Sequence, residues 1–144
     1  MKKRVNRLIA CSLLVLSSIA VQANDRVYKL KLAATWGKMG TPLIDAPKNM
    51  AIMAKKMSNG RLDIQVHSSN KHKAPFGILD MVKAGQYDMG HSASYFFKGK
   101  DIATMPFTTM PFGLTAPEYY SWFYYGGGEE LMKEVYDKHN VLAF

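Results

Sequence analysis

The segment Gly90-His91-Ser92-Ala93-Ser94 comes nearer to a catalytic motif than any other part of this sequence. It approaches G-x-S-x-G, in which small residues let a serine nucleophile stand on a tight strand-to-helix turn. Serine, not glycine, fills the fifth position, and a triad also needs an acid and then a histidine downstream. The only later histidine is His139, on the far side of an expected amphipathic helix. A secreted serine hydrolase acting through Ser92 is thus the alternative function. Asp63, His67 and His72 offer metal-ligand side chains, but the H-x4-H spacing falls in a polar loop and no second pair completes a site. They read as surface histidines, and no metal site follows. Gly126-Gly127-Gly128 before a helix presents backbone N–H groups to an anion, yet lacks the lysine and hydroxyl of a phosphate-binding loop. It reads as a flexible junction between helices.

The elements that position these groups follow from periodicity. Tyr28, Leu30, Leu32 and Ala34 share one parity and Lys29 and Lys31 the other, the pattern of a half-buried strand. Thr41-Pro42 supplies an N-cap residue and a proline at the first helical position. Leu43, Ala46, Met50, Met53 and Met57 then recur at helical spacing as core filling, with Pro47 bending the first turns and Asn59-Gly60 closing the helix. Leu62, Ile64 and Val66 alternate with polar residues as a second strand. Residues 68–75 form a polar loop, Phe76, Leu79 and Val82 a short helix ended by Ala84-Gly85, and Tyr87-Asp88-Met89 a third strand. Alternating strands and helices predict an α/β layer with parallel strands, whose ligands sit at the carboxyl ends. The loops after Ala34, Val66 and Met89 are the candidate site loops.

Residues 94–113 are too aromatic for a solvated linker and too broken by Pro106 and Pro111 for a helix. They read as an ordered loop with Phe97, Phe107 and Phe112 in the core. Thr115-Ala116-Pro117-Glu118 has the pattern of a capping box, opening a helix through Trp122. A further amphipathic helix spans 129–139 around Leu131, Met132, Val135 and Tyr136, and Val141-Leu142-Ala143-Phe144 opens a strand.

The 144 residues carry 19 Lys and Arg against 11 Asp and Glu, a formal charge of +8, with 48% hydrophobic residues. This is a globular composition of about one domain. Lys2, Lys3, Arg4 and Arg7 precede the apolar run 8–21 and then Val21-Gln22-Ala23, the signature of a secretory signal peptide cleaved after Ala23. The run is shorter than the ~20 residues of a membrane span. Cys11 stands too early in it for a lipoprotein site. The sole cysteine leaves with this segment, and export without disulfides suits a bacterial periplasm. The remaining bases are dispersed singly as a solvated surface, so nucleic acid is not an expected partner.

The stretch 84–101, from Ala84-Gly85-Gln86-Tyr87-Asp88-Met89 through Gly90-His91-Ser92-Ala93-Ser94-Tyr95-Phe96-Phe97 to Asp101, resembles the periplasmic solute receptors of TRAP transporters (tripartite ATP-independent periplasmic transporters). Met110-Pro111-Phe112-Gly113-Leu114, Trp122, Tyr124 and Gly126-Gly127-Gly128-Glu129-Glu130-Leu131-Met132 strengthen the resemblance, which extends over essentially all of 24–144. It is greatest to the branch that binds 2-oxo and 2-hydroxy monocarboxylates.

The resemblance implies a two-lobed periplasmic binding protein that closes on a small organic acid, a monocarboxylate or dicarboxylate, and delivers it to TRAP membrane permease subunits driven by a sodium gradient. It implies no catalysis and no cofactor, and a homodimer is possible for the full-length protein. Tyr95 and Phe96 fall where this branch places aromatic residues against the ligand, with Ser94 and His91 beside them. Trp36 joins them as a cleft wall on the carboxyl-end argument. Family members run to more than twice this length, and the arginine that pairs with the ligand carboxylate belongs to their second lobe. The chain therefore reads as a signal peptide, 1–23, and a truncated first lobe, 24–144. Such a fragment is expected to fold poorly and to bind its acid weakly by itself.

Overall fold

The computed structural model of the chain describes residues 26–37, 42–108 and 110–144. The expected signal segment with Cys11, and the expected cap Thr41, lie outside these residues. Three parallel strands, β1 (Tyr28–Ala34), β2 (Leu62–His67) and β3 (Met89–His91), form a sheet in the order β2-β1-β3. Helix α1 (Asp45–Met57) joins β1 to β2, and the return to β3 runs through α2 (Ser69–His72) and α3 (Ile78–Lys83). The α/β alternation legible in the sequence is the architecture of the chain.

The two crossovers run to opposite sides of β1. Because such connections share one hand, their helices fall on opposite faces of the sheet. Leu32 and Ala34 pack with Ile44 just before α1, whereas Ala33 packs with Ile78 and Leu79 of α3. Leu32, Ala33 and Ala34 are therefore all buried, while Tyr28, expected on the inner face, is half exposed. A central parallel strand is covered on both faces, so alternation of period two describes only its open first half. β3 begins two residues later than its sequence pattern suggests, because Asp88 is spent on β1. Its Oδ2 accepts the Lys31 N–H at 2.7 Å and its own N–H donates to the Lys31 carbonyl at 3.0 Å.

Helix α1 starts three residues after Pro42, not at it. The Pro42 carbonyl accepts the N–H groups of Asp45 and Ala46. Pro47 then lies in the first turn, where a missing N–H costs nothing, so the expected bend has no cause there. The buried face is Ile44, Pro47 and Ala51; of the expected stripe only Met50 packs on the core, and Ala46 is exposed. Leu43, Met53 and Met57 are exposed, Met57 at 84%. The expected stop is present as a Schellman motif, with Gly60 N–H on the Lys55 carbonyl and Asn59 N–H on that of Lys56. Helix α3 closes in the same way through Gly85 and Gln86. The loop 68–75 contains the four-residue α2, and Phe76 stands outside α3, 60% exposed.

Two 3-10 turns, Ser94–Phe97 and Ile102–Phe107, lead into α4 (Ala116–Tyr125) and α5 (Gly128–Asp137). Phe97 and Phe107 enter the core with Met132, Val135 and Tyr136, as expected, but Phe112 is fully exposed at φ 58°. The capping box is formed: Glu118 Oε2 accepts from the Thr115 N–H and hydroxyl at 2.8 and 2.7 Å. Leu131, expected in the core, is 44% exposed. Gly126-Gly127-Gly128 is not a loose joint. Gly128 is buried, and a Cβ there would stand 2.7 Å from the Phe123 Cα and 3.1 Å from the Trp122 ring, so its bare Cα sets the close approach of α5 to α4. Residues 141–144 form no strand, because no ladder partner is paired with them. They line, with the exposed edge of β3, a cavity of about 710 Å³. Among the described residues no helix is long and apolar enough to cross a membrane.

Candidate functional site

The crossovers reverse direction at β1, so the loops after β1 and β3 leave from the carboxyl ends of adjacent strands, the place where ligands of such sheets bind. Trp36 belongs to the first loop, and Ser92, Ser94, Tyr95 and Phe96 to the second, with His91 ending β3. The Thr35 N–H extends the β1–β3 ladder by donating to the His91 carbonyl at 3.0 Å, which brings the two loops together. The Thr35 hydroxyl donates to Ser92 Oγ at 2.6 Å, and the Trp36 indole Nε1–H donates to His91 Nδ1 at 2.8 Å.

An aromatic corner stands over this junction. The Phe96 ring lies 6.0 Å from Trp36, 5.0 Å from Phe76 and 4.4 Å from Tyr95 between centroids, and Trp36 meets the His91 ring edge-on at 6.2 Å. Tyr95 and Phe76 remain exposed, Phe96 and His91 partly buried. Four of the sequence-derived candidates, Trp36, His91, Tyr95 and Phe96, are thus assembled in one place. Ser94 is adjacent but employed in the scaffold. Its hydroxyl accepts from Tyr136 of α5 at 2.8 Å, and its carbonyl accepts from Thr104, which is fully buried. Phe76 and Thr35 were not singled out as site residues by sequence.

The histidines account for what the site does not contain. His91 Nδ1 accepts from Trp36, and burial pushes its pKa below the ordinary 6.5. His72 donates to the Ala34 carbonyl and accepts the Ala74 N–H. His67 contacts Tyr87 Oη and accepts from Lys71 Nζ, and burial, then Lys71, Lys31 and His72, lower its pKa. His67 and His72 are therefore partly buried and hydrogen-bonded, not free surface histidines. His139 pairs with Asp101 at 3.0 Å. Ser92 meets Thr35 and no imidazole, and Gly90 serves packing, since a Cβ there would stand 2.6 Å from Ile78 Cγ2. The nucleophile-elbow reading therefore lacks its base.

These pKa directions set a pH response. The unfolded chain takes up protons at His67 and His91 near pH 6.5, while the folded chain resists them to lower pH. Stability is therefore full above about pH 6.5 and declines as the pH falls toward the depressed folded values. Urea midpoints between pH 7.5 and 5 should fall accordingly, and a flat profile would contradict the burial of both rings.

An α/β layer that gathers aromatic side chains at the carboxyl ends of its parallel strands places them where small solutes bind in such sheets. Residues 32–144 match the family described as bacterial extracellular solute-binding protein, family 7 (DctP), and the chain belongs to that family. It is 33% identical over 137 residues to the monocarboxylate 2-oxoacid-binding periplasmic protein of Nostoc sp., covering 95% of this chain and 37% of the relative. Two solved TRAP periplasmic solute-binding proteins share more. That of Pseudoalteromonas atlantica, with bound sodium and pyruvate, is 62% identical with a TM-score of 0.78, and that of Colwellia psychrerythraea, with bound calcium and pyruvate, is 60% identical with the same score. Each match covers 83% of this chain and 36% of the solved one, so the chain spans little more than a third of its relatives' length. Among the described residues no group of three or more His, Cys, Asp or Glu side chains is arranged to hold a metal.

Proposed function

We propose that the chain forms the first-lobe wall of a periplasmic receptor for a small 2-oxo or 2-hydroxy monocarboxylate, exported by its segment 1–23 and serving the permease subunits of a sodium-driven TRAP transporter. The observation that carries this reading is the corner of Trp36, His91, Tyr95 and Phe96 at the carboxyl end of the sheet, in a chain so similar to two receptors that hold pyruvate. Aromatic walls exclude water around a small acid, and a few neutral donors then orient it. Binding, not bond-making, is the task of such a site.

One wall without a guanidinium partner supports only weak capture, with a Kd of about 1 mM, or roughly −4 kcal/mol. Equilibrium titration of the chain with pyruvate and lactate should give saturable binding in that range, lost on Tyr95→Ala. Turnover of an activated ester should be absent from the chain and unchanged in Ser92→Ala. Ester turnover abolished by Ser92→Ala would instead support the hydrolase, and absence of saturable binding would contradict the receptor.

A further inference from the structure

We infer that His91 selects for an oxygen at the 2-position of the ligand, offering it a neutral Nε2–H whose place on the ring is fixed by the Trp36 indole. An indole N–H only donates, so the 2.8 Å contact from Trp36 Nε1 requires a lone pair on His91 Nδ1. The ring proton then resides on Nε2. A second proton at Nδ1 would set two N–H groups against each other, and burial without a carboxylate neighbour opposes the charged ring as well. Trp36 is itself restrained: its carbonyl accepts the Ser69 N–H at 3.1 Å, and its ring rests against Phe96.

Nε2 has no protein partner among the described residues. No side-chain nitrogen or oxygen is buried without a hydrogen bond among them, so this atom reaches solvent. His91 borders, with Ser92 and Ser94, the cavity of about 710 Å³, and a lone neutral donor there matches a neutral carbonyl or hydroxyl oxygen, whereas a carboxylate calls for a charged, bidentate partner. The donor role rests on the receptor reading above, and it makes the 2-oxygen, not the carboxylate, the feature that His91 recognises.

Pyruvate and propionate, which differ at that position, are the probes. The intact chain should bind pyruvate about tenfold or more tightly than propionate, in keeping with a hydrogen bond in a partly desolvated site. In His91→Asn the amide oxygen can replace Nδ1 for Trp36 but nothing replaces Nε2–H, so the preference should fall to nearly one. In His91→Gln the amide reaches the Nε2 position, and part of the preference should return. Long-range 1H–15N spectra of the unaltered chain should show the His91 proton on Nε2, a readout independent of how the variants fold. A proton on Nδ1, or an undiminished preference in His91→Asn, would overturn the assignment while leaving the receptor intact. Failure of the unaltered chain to bind either acid would overturn the receptor reading and this role with it.

Discussion

Phe96→Ala is expected to weaken pyruvate binding by about tenfold or more and to lower stability by about 1–3 kcal/mol. The ring is the common member of three aromatic contacts, with Trp36, Phe76 and Tyr95. Each such pair contributes roughly 0.5–1.5 kcal/mol beyond its area. Phe96 is only partly buried, so the stability loss stays below that of a core phenylalanine. The binding loss is disproportionate because the other three rings lean on it, and its removal admits water beside the polar groups of Thr35, His91 and Ser92. Urea unfolding and a pyruvate titration on the same sample separate the effects. Unchanged affinity in a folded variant would show that the corner is packing alone.

Phe107→Ala should cost about 3–5 kcal/mol, the usual range for deleting a buried phenylalanine. Native domains hold only about 5–15 kcal/mol in reserve, so much of the population should unfold at modest urea. Phe107 is 6% exposed and stacks on Trp122 of α4 at 6.4 Å with planes 10° apart, while its other neighbour is Tyr136 of α5. Tyr136 in turn holds Ser94, the first residue of the turn that carries Tyr95 and Phe96. The substitution should therefore loosen the site from a distance, and near-UV circular dichroism of the aromatic corner should fade at lower urea than in the parent chain. A midpoint within 1 kcal/mol of the parent would contradict the placement of this ring.

What the sequence revealed about this fold was mostly local. The capping box at Thr115 and the Asn59-Gly60 stop depend on residues within six positions of one another, and each is present, whereas β2 forms where expected without the alternating burial of its pattern, Gln65 alone being exposed. The burial of Ala33 depends on where a second crossover goes, which no window of β1 contains. Likewise the exposure of Met53 and Met57 follows from which face α1 turns to the sheet. Residues 141–144 carry a strand pattern but lie across a cavity from the exposed edge of β3 without pairing to it, which no local pattern contains. Among the candidate site residues, Trp36 was legible as a loop residue at a strand end, and His91, Tyr95 and Phe96 through the resemblance of their segment to the family. The bond from Tyr136 to Ser94 spans 42 positions and has no local trace, so Ser94 resembled a ligand contact when its hydroxyl is held by the scaffold.

The central claim is that the aromatic corner over the loops after β1 and β3 takes the ligand. A 1H–15N correlation titration of the labelled chain with pyruvate tests it directly. Saturable shifts should concentrate on the Trp36 indole N–H and the backbone amides of His91, Tyr95 and Phe96, with lactate shifting the same signals. Shifts confined to another surface, such as the 450 Å³ hollow bordered by Lys48 and Lys71, or signals that move linearly without saturating, would contradict it.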